Sequence, residues 1–145
     1  MREITQIVIH CSATKPSQDI GAEDIERWHT DPKPQGNGWS RLGYHLVNRR
    51  NGVIELGTPF HRTGIHARGH NANSIGICLV GGVSETGEPE DNFTEEQYAS
   101  LIYTKAWMDR VWPNAEWLGH RDFPGVKKAC PCFDVKNWIA AEKVL

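Results

Sequence analysis

Two stretches, "ITQIVIHCS" (4–12) and "NSIGICLVGG" (73–82), are apolar at nearly every position and rich in β-branched residues. That is the pattern of strands covered on both faces of a sheet. His10 therefore falls near the C-terminal end of a buried strand. Between them, "GAEDIERWH" (21–29) reads as a short amphipathic helix. "GYHLVNRRNGVIELG" (43–57) reads as two strands around Asn51-Gly52, which predicts a type I′ hairpin with Tyr44 and Leu46 on one face and His45 and Val47 on the other.

Further on, Thr94 and Gln97 form a capping box for a helix whose expected buried stripe is Tyr98, Leu101, Ile102 and Met108, with Pro113 closing it. "AEWLGH" (115–120) reads as a strand that delivers His120 at its end. Asp134 is an N-cap for a last helix, "VKNWIAAEKVL", with Trp138, Ile139 and Leu145 turned to the sheet. Strands and helices mix without strict alternation, and the loops at 30–38 and 81–92 interrupt one unit and do not divide two. The expectation is an α/β fold: a single three-layer domain over 1–145, with a central mixed β-sheet flanked by helices.

A chain of 145 residues can bury roughly 68–70% of its unfolded surface around one core. Its 16 basic and 18 acidic residues leave a formal charge of -2, without a basic stripe interleaved with aromatics, which argues against nucleic acid as principal partner. The N-terminal apolar run is too short and too interrupted for a signal peptide or a membrane span, so cytoplasmic accumulation without membrane insertion is expected. In that compartment four cysteines point to free thiols or metal ligands, and Cys11 and Cys78 read as small core hydrophobes.

Seven histidines compete for chemical roles. His66 and His70 have helical metal-site spacing, but "TGIHARGHNAN" is broken by glycines and is a poor helix. His29 reads as a packing or helix-terminus residue, and His45 as a satisfied core histidine. His10 and His120 stand apart because each ends a strand, where reactive groups of α/β sheets collect. Two imidazoles and the Cys130 thiolate would give zinc three protein ligands and leave a fourth position to water, the arrangement of a catalytic site. Pro131 biases Cys130 toward an extended backbone, which would turn Lys128 and Cys130 to one side and Lys127 and Ala129 to the other. Cys130-Pro131-Cys132 leaves a disulfide, a redox pair, part of a metal site and a single functional thiol all open.

Taken in order, "VIHCSATKPSQDIG", "LGYHLV", "NSIGICLVGG", "NFTEEQ" and "KKACPCFD" resemble the zinc-dependent N-acetylmuramoyl-L-alanine amidases of the bacteriophage lysozyme type, within the amidase and peptidoglycan-recognition-protein fold. The resemblance spans residue 4 to about 138. It implies Zn²⁺ held by His10, His120 and Cys130, catalytic assistance from Tyr44 and Lys128, and a substrate pocket lined by His66. It also implies an endolysin that cuts the amide between N-acetylmuramic acid and L-alanine of bacterial peptidoglycan, works as a monomer, and leaves the cytoplasm through a holin. The chain departs from the pattern at two points. The span from His120 to Cys130 is on the long side, and Cys132 stands where a small residue is expected. A closed four-ligand zinc site with Cys132 would be structural and inert. A muropeptide-binding module without activity and a Cys/His thiol hydrolase are the competing functions.

Overall fold

The computed structural model describes residues 2–142. Five strands form one mixed sheet: β1 (Gln6–Cys11), β2 (Leu46–Asn48), β3 (Ile54–Leu56), β4 (Ser74–Leu79) and β5 (Glu116–Gly119), in the order β3-β2-β4-β1-β5. β2, β4, β1 and β5 run parallel and only the edge strand β3 is antiparallel. Parallel strands carry helices on both faces, and this one does. Ile7, Ile9, Ile75, Ile77 and Leu79 pack one face against Leu101 and Met108 of α2 (Glu95–Val111) and Val135 of α3 (Val135–Glu142). On the other face Val47, Cys78 and Val80 meet Ile25 of α1 (Ala22–Thr30), while Val8 and Leu118 meet Ala67 and Phe123. The expected three-layer α/β architecture is present.

The start of α2 shows how sequence becomes structure. Thr94 Oγ1 accepts the Gln97 N–H at 3.1 Å and Gln97 Oε1 accepts the Thr94 N–H at 2.9 Å, a reciprocal box that satisfies two orphan donors. Gln97 goes further: fully buried, it donates through Nε2 to the Asn48 and Val80 carbonyls at 3.0 and 2.9 Å. The buried face of α2 therefore runs through Gln97, Leu101, Thr104 and Met108. Ile102, expected in the stripe, lies about 100° around the helix from Leu101 and is 42% exposed. Tyr98 is half-buried against Phe133 and Trp138.

Two local expectations are corrected. The hairpin turn is not the two-residue type I′ form. Gly52 N–H bonds Arg49 C=O at 2.8 Å, Arg49 N–H bonds Val53 C=O at 2.9 Å, and Gly52 has φ +86, so the loop is a three-residue one with glycine in the left-handed position. Tyr44 does not share a face with Leu46. β2 begins only at Leu46, so the alternation does not extend back to Tyr44, which packs with Val47 and Cys78 on the α1 side while Leu46 faces α2. At the C-terminus Asp134 caps α3, its Oδ1 accepting the Asn137 N–H at 3.0 Å, and Trp138 and Ile139 pack on the core as expected; Leu145 lies outside the described residues.

Candidate metal and catalytic site

The parallel pairing of β1 with β5 places Ile9 beside Gly119, so the next residues, His10 and His120, stand side by side at the strand ends. Their ring centroids are 4.6 Å apart. Cys130 joins them from the loop after β5, and one ligand atom from each of the three lies within 4.8 Å of the others. Cys130 Sγ is 3.9 Å from His10 Nδ1 and accepts the Cys11 N–H at 3.2 Å. Arg121 N–H donates to the Cys130 carbonyl at 2.9 Å, which ties the ligand to the residue after His120. Two nitrogens and a sulfur suit zinc, and three ligands leave one position open.

Cys132 does not join them. The chain turns at Pro131, with Cys132 N–H donating to Ala129 C=O at 2.7 Å, and Cys132 Sγ donates to the Gly82 carbonyl at 3.2 Å. Among the described residues the metal-competent cluster contains His10, His120 and Cys130 without Cys132. All four cysteines are free. Burial pushes the Cys132 thiol up to about 11.

The three residues line a cavity of about 510 Å³ with Tyr44, Lys128, His66, His29 and Trp39. Tyr44 sits 5.1 Å from His10 between ring centroids, and burial together with the neighbouring thiols Cys78, Cys130 and Cys11 raises its pKa well above the phenol range. It is therefore a neutral hydrogen-bond donor. Burial, His66, His120 and the Lys128 ammonium depress His10, and burial and Lys128 depress His120, so both imidazoles stay neutral and able to ligate. A second groove of about 630 Å³ continues past Trp39, His66 and Lys128 to Arg68 and Lys127. The strict alternation expected of the loop is corrected: Lys128, Ala129 and Cys130 all line the metal-side cavity, and Lys127 lines only the adjoining groove. The turn at Pro131 ends any extended run.

His45 is the core histidine expected. Gly76 N–H donates to its Nδ1 at 3.0 Å, so Nε2 carries the proton and donates to Arg62 C=O at 2.8 Å. His70 stacks on Phe123 at 4.0 Å, away from His66 as a partner. His29 and Trp39 are cavity residues that the sequence did not reveal. His29 Nδ1 accepts the Gly43 N–H at 2.9 Å and its ring lies 4.6 Å from Trp39, which braces the segment carrying Tyr44. No periodicity reports such a contact; the position of His29 at a helix end is the one signal it left.

The family described as N-acetylmuramoyl-L-alanine amidase matches residues 1–133. The endolysin of Escherichia phage T7 is 41% identical over 138 residues, covering 94% of this chain and 87% of that protein. The endolysin of Klebsiella phage KP32 is 39% identical over 137 residues, covering 94% and 86%. Among solved structures, the endolysin N-acetylmuramoyl-L-alanine amidase LysCS from Clostridium intestinale URNW superposes with a TM-score of 0.79 at 26% identity, covering 99% of this chain and 86% of that one. With a family match over most of its length and relatives near 40% identity, the chain belongs to the N-acetylmuramoyl-L-alanine amidase family and is an amide hydrolase of that class.

Proposed function

We propose that the chain is a zinc-dependent endolysin that hydrolyses the amide between the lactyl group of N-acetylmuramic acid and L-alanine in bacterial peptidoglycan. The observation that carries this reading is the convergence of His10, His120 and Cys130 at the wall of an open cavity that also holds Tyr44 and Lys128. Zinc, when bound by these three residues, supplies a Lewis acid and lowers the pKa of a water toward ~7. The C–N bond breaks, the water oxygen joins the lactyl carbonyl carbon, and a water proton ends on the departing L-alanine amine. Tyr44, kept protonated by burial, and Lys128 donate hydrogen bonds to the oxygen that gains charge. No carboxylate lines the cavity among the described residues, so Tyr44 and Lys128 are also the groups placed to hand a proton to the leaving amine.

The enzyme acts as a monomer and as one catalytic domain over 1–145, made in the cytoplasm and reaching the wall through a holin. Among the described residues no helix is long and apolar enough to cross a membrane. Mass analysis of material released from purified wall tests the reaction: stem peptides beginning with L-alanine and intact glycan strands are expected, and new reducing ends would refute it. The pairing of Cys130 with His10 at 3.9 Å gives a thiol hydrolase its own geometric basis. Activity that survives chelator but not thiol alkylation would establish that alternative.

A further inference from the structure

We propose that His66 is a positioning residue for His10, fixing which imidazole nitrogen faces the metal; this rests on the zinc reading above. His66 Nδ1 lies 2.9 Å from His10 Nε2, with the two rings edge-on at 89°. On its far side His66 Nε2 lies 3.1 Å from Ser74 Oγ, whose residue is fully buried. One proton arrangement leaves a lone pair on His10 Nδ1, the nitrogen beside Cys130 Sγ. His10 donates Nε2–H to His66 Nδ1, and His66 donates Nε2–H to Ser74 Oγ. Hydrogen bonding at the nitrogen away from a metal is what sets tautomer and ring direction in histidine ligands. Both His66 nitrogens are then engaged by protein, so its contribution to the cavity wall is not a hydrogen bond to substrate.

The sequence around His66 is built to hold that ring still. A Cβ at Gly76 would fall 2.6 Å from His66 Cγ, and one at Gly64 would fall 2.9 Å from His66 Cδ2. The ring thus fills the space two glycines leave, one of them inside β4. The Asn71 side-chain oxygen accepts the backbone N–H of both His66 and Ala67 at 2.9 Å, fixing the loop that carries the ring.

Competition against a chromophoric chelator, with the full chain, measures Zn²⁺ affinity for the wild type, His66→Leu and His66→Asn. Leucine fills the volume without an acceptor, whereas asparagine offers an amide oxygen near the place of Nδ1. His66→Leu should weaken zinc binding by about 10- to 100-fold, and His66→Asn should stay within a few-fold of wild type. Gly76→Ala, which displaces the ring, should weaken it as His66→Leu does. Far-UV circular dichroism of the metal-free variants checks that each is folded; if His66→Leu is not, Gly76→Ala and His66→Asn carry the comparison. Equal affinity in wild type and His66→Leu, or an equal loss in His66→Asn, overturns the role of His66. A wild-type chain that binds no Zn²⁺ overturns the metal reading instead.

Discussion

Gln97→Ala removes a side chain that clamps α2 to the sheet, and its cost can be worked bond by bond. Gln97 Nε2 donates to the Asn48 and Val80 carbonyls, and Oε1 accepts from Thr94 N–H and from Arg50 Nη1 at 3.2 Å. Neither carbonyl is orphaned by the substitution. Asn48 C=O keeps the Val80 N–H at 3.0 Å, and Val80 C=O keeps Arg50 at 3.2 Å. Each loss is therefore a net hydrogen bond of about 0.5–1.5 kcal/mol and not a full desolvation penalty. The capping box loses its Gln97 acceptor at a cost of about 1 kcal/mol, and the emptied volume adds a cavity cost. The sum is on the order of 3–5 kcal/mol, a fall in Tm on the order of 10 °C for a chain of this size. Gln97→Glu separates capping from clamping. Glutamate serves a capping box equally well, but it buries a carboxylate oxygen against two carbonyl oxygens, so it should be at least as destabilising as alanine. Calorimetric melts of metal-matched samples read both. An alanine variant within about 2 °C of wild type, or a glutamate variant as stable as wild type, would refute the clamp.

Lys128→Ala and Tyr44→Phe should each lower turnover on the order of 10²–10³-fold while zinc stays near one per chain by metal analysis, because each removes a donor to the developing oxyanion and not a ligand. Cys132→Ser should keep both zinc and activity, since a hydroxyl can still donate to the Gly82 carbonyl, whereas Cys130→Ser should lose activity and most of its metal. In the metal-free protein, stability should fall as pH drops below ~6.5. Burial lowers His45 from 6.5 to about 4, so the unfolded chain binds the proton first; the contribution, on the order of 3 kcal/mol, is fully present above ~6.5 and lost on the way down to about 4. Urea unfolding between those limits reads it together with the contributions of His10, His66 and His120, which burial lowers as well, and a flat or inverted profile would contradict the buried neutral state of these histidines.

Much of the fold could be read from local pattern because its causes are local. β1 and β4 are buried on both faces and read as continuous apolar runs; Thr94 and Gln97 are three apart because the box they form spans one turn. His10 and His120 stood out for the same reason, as polar residues ending apolar strands. What pattern missed depends on where a strand starts or on contacts between distant segments. Period-2 alternation assigned Tyr44 to the wrong face because strand geometry begins two residues later, at Leu46. The apolar helical stripe misjudged Ile102 because two polar residues, Gln97 and Thr104, occupy the buried face of α2. His29 braces Gly43 across 14 residues through a backbone N–H, a contact that leaves no trace in hydrophobicity.

The long span from His120 to Cys130 matters less than its length suggests, because the site is fixed at the two ends of that span and not along it. His10 and His120 each directly follow a residue of the paired Ile9 and Gly119 in adjacent parallel strands, whose spacing of ~4.7–4.9 Å is close to the 4.6 Å between the two rings. Their separation follows from the sheet register, which the core residues Ile7, Ile9, Trp117 and Leu118 hold. Cys130 is pinned by its carbonyl to Arg121 and by its sulfur to the Cys11 backbone, each one residue from His120 or His10 in sequence. Pro131 then packs on the strand end itself: a Cβ at Gly119 would lie 2.8 Å from Pro131 Cδ, so the residue before His120 must be small for the turn after Cys130 to close. The residues between can therefore lengthen or shorten while His10, His120 and Cys130 keep their places. The same packing separates the two thiols of Cys130-Pro131-Cys132. The turn that seats Pro131 on Gly119 directs Cys130 to His10 and carries Cys132 across to the Gly82 carbonyl.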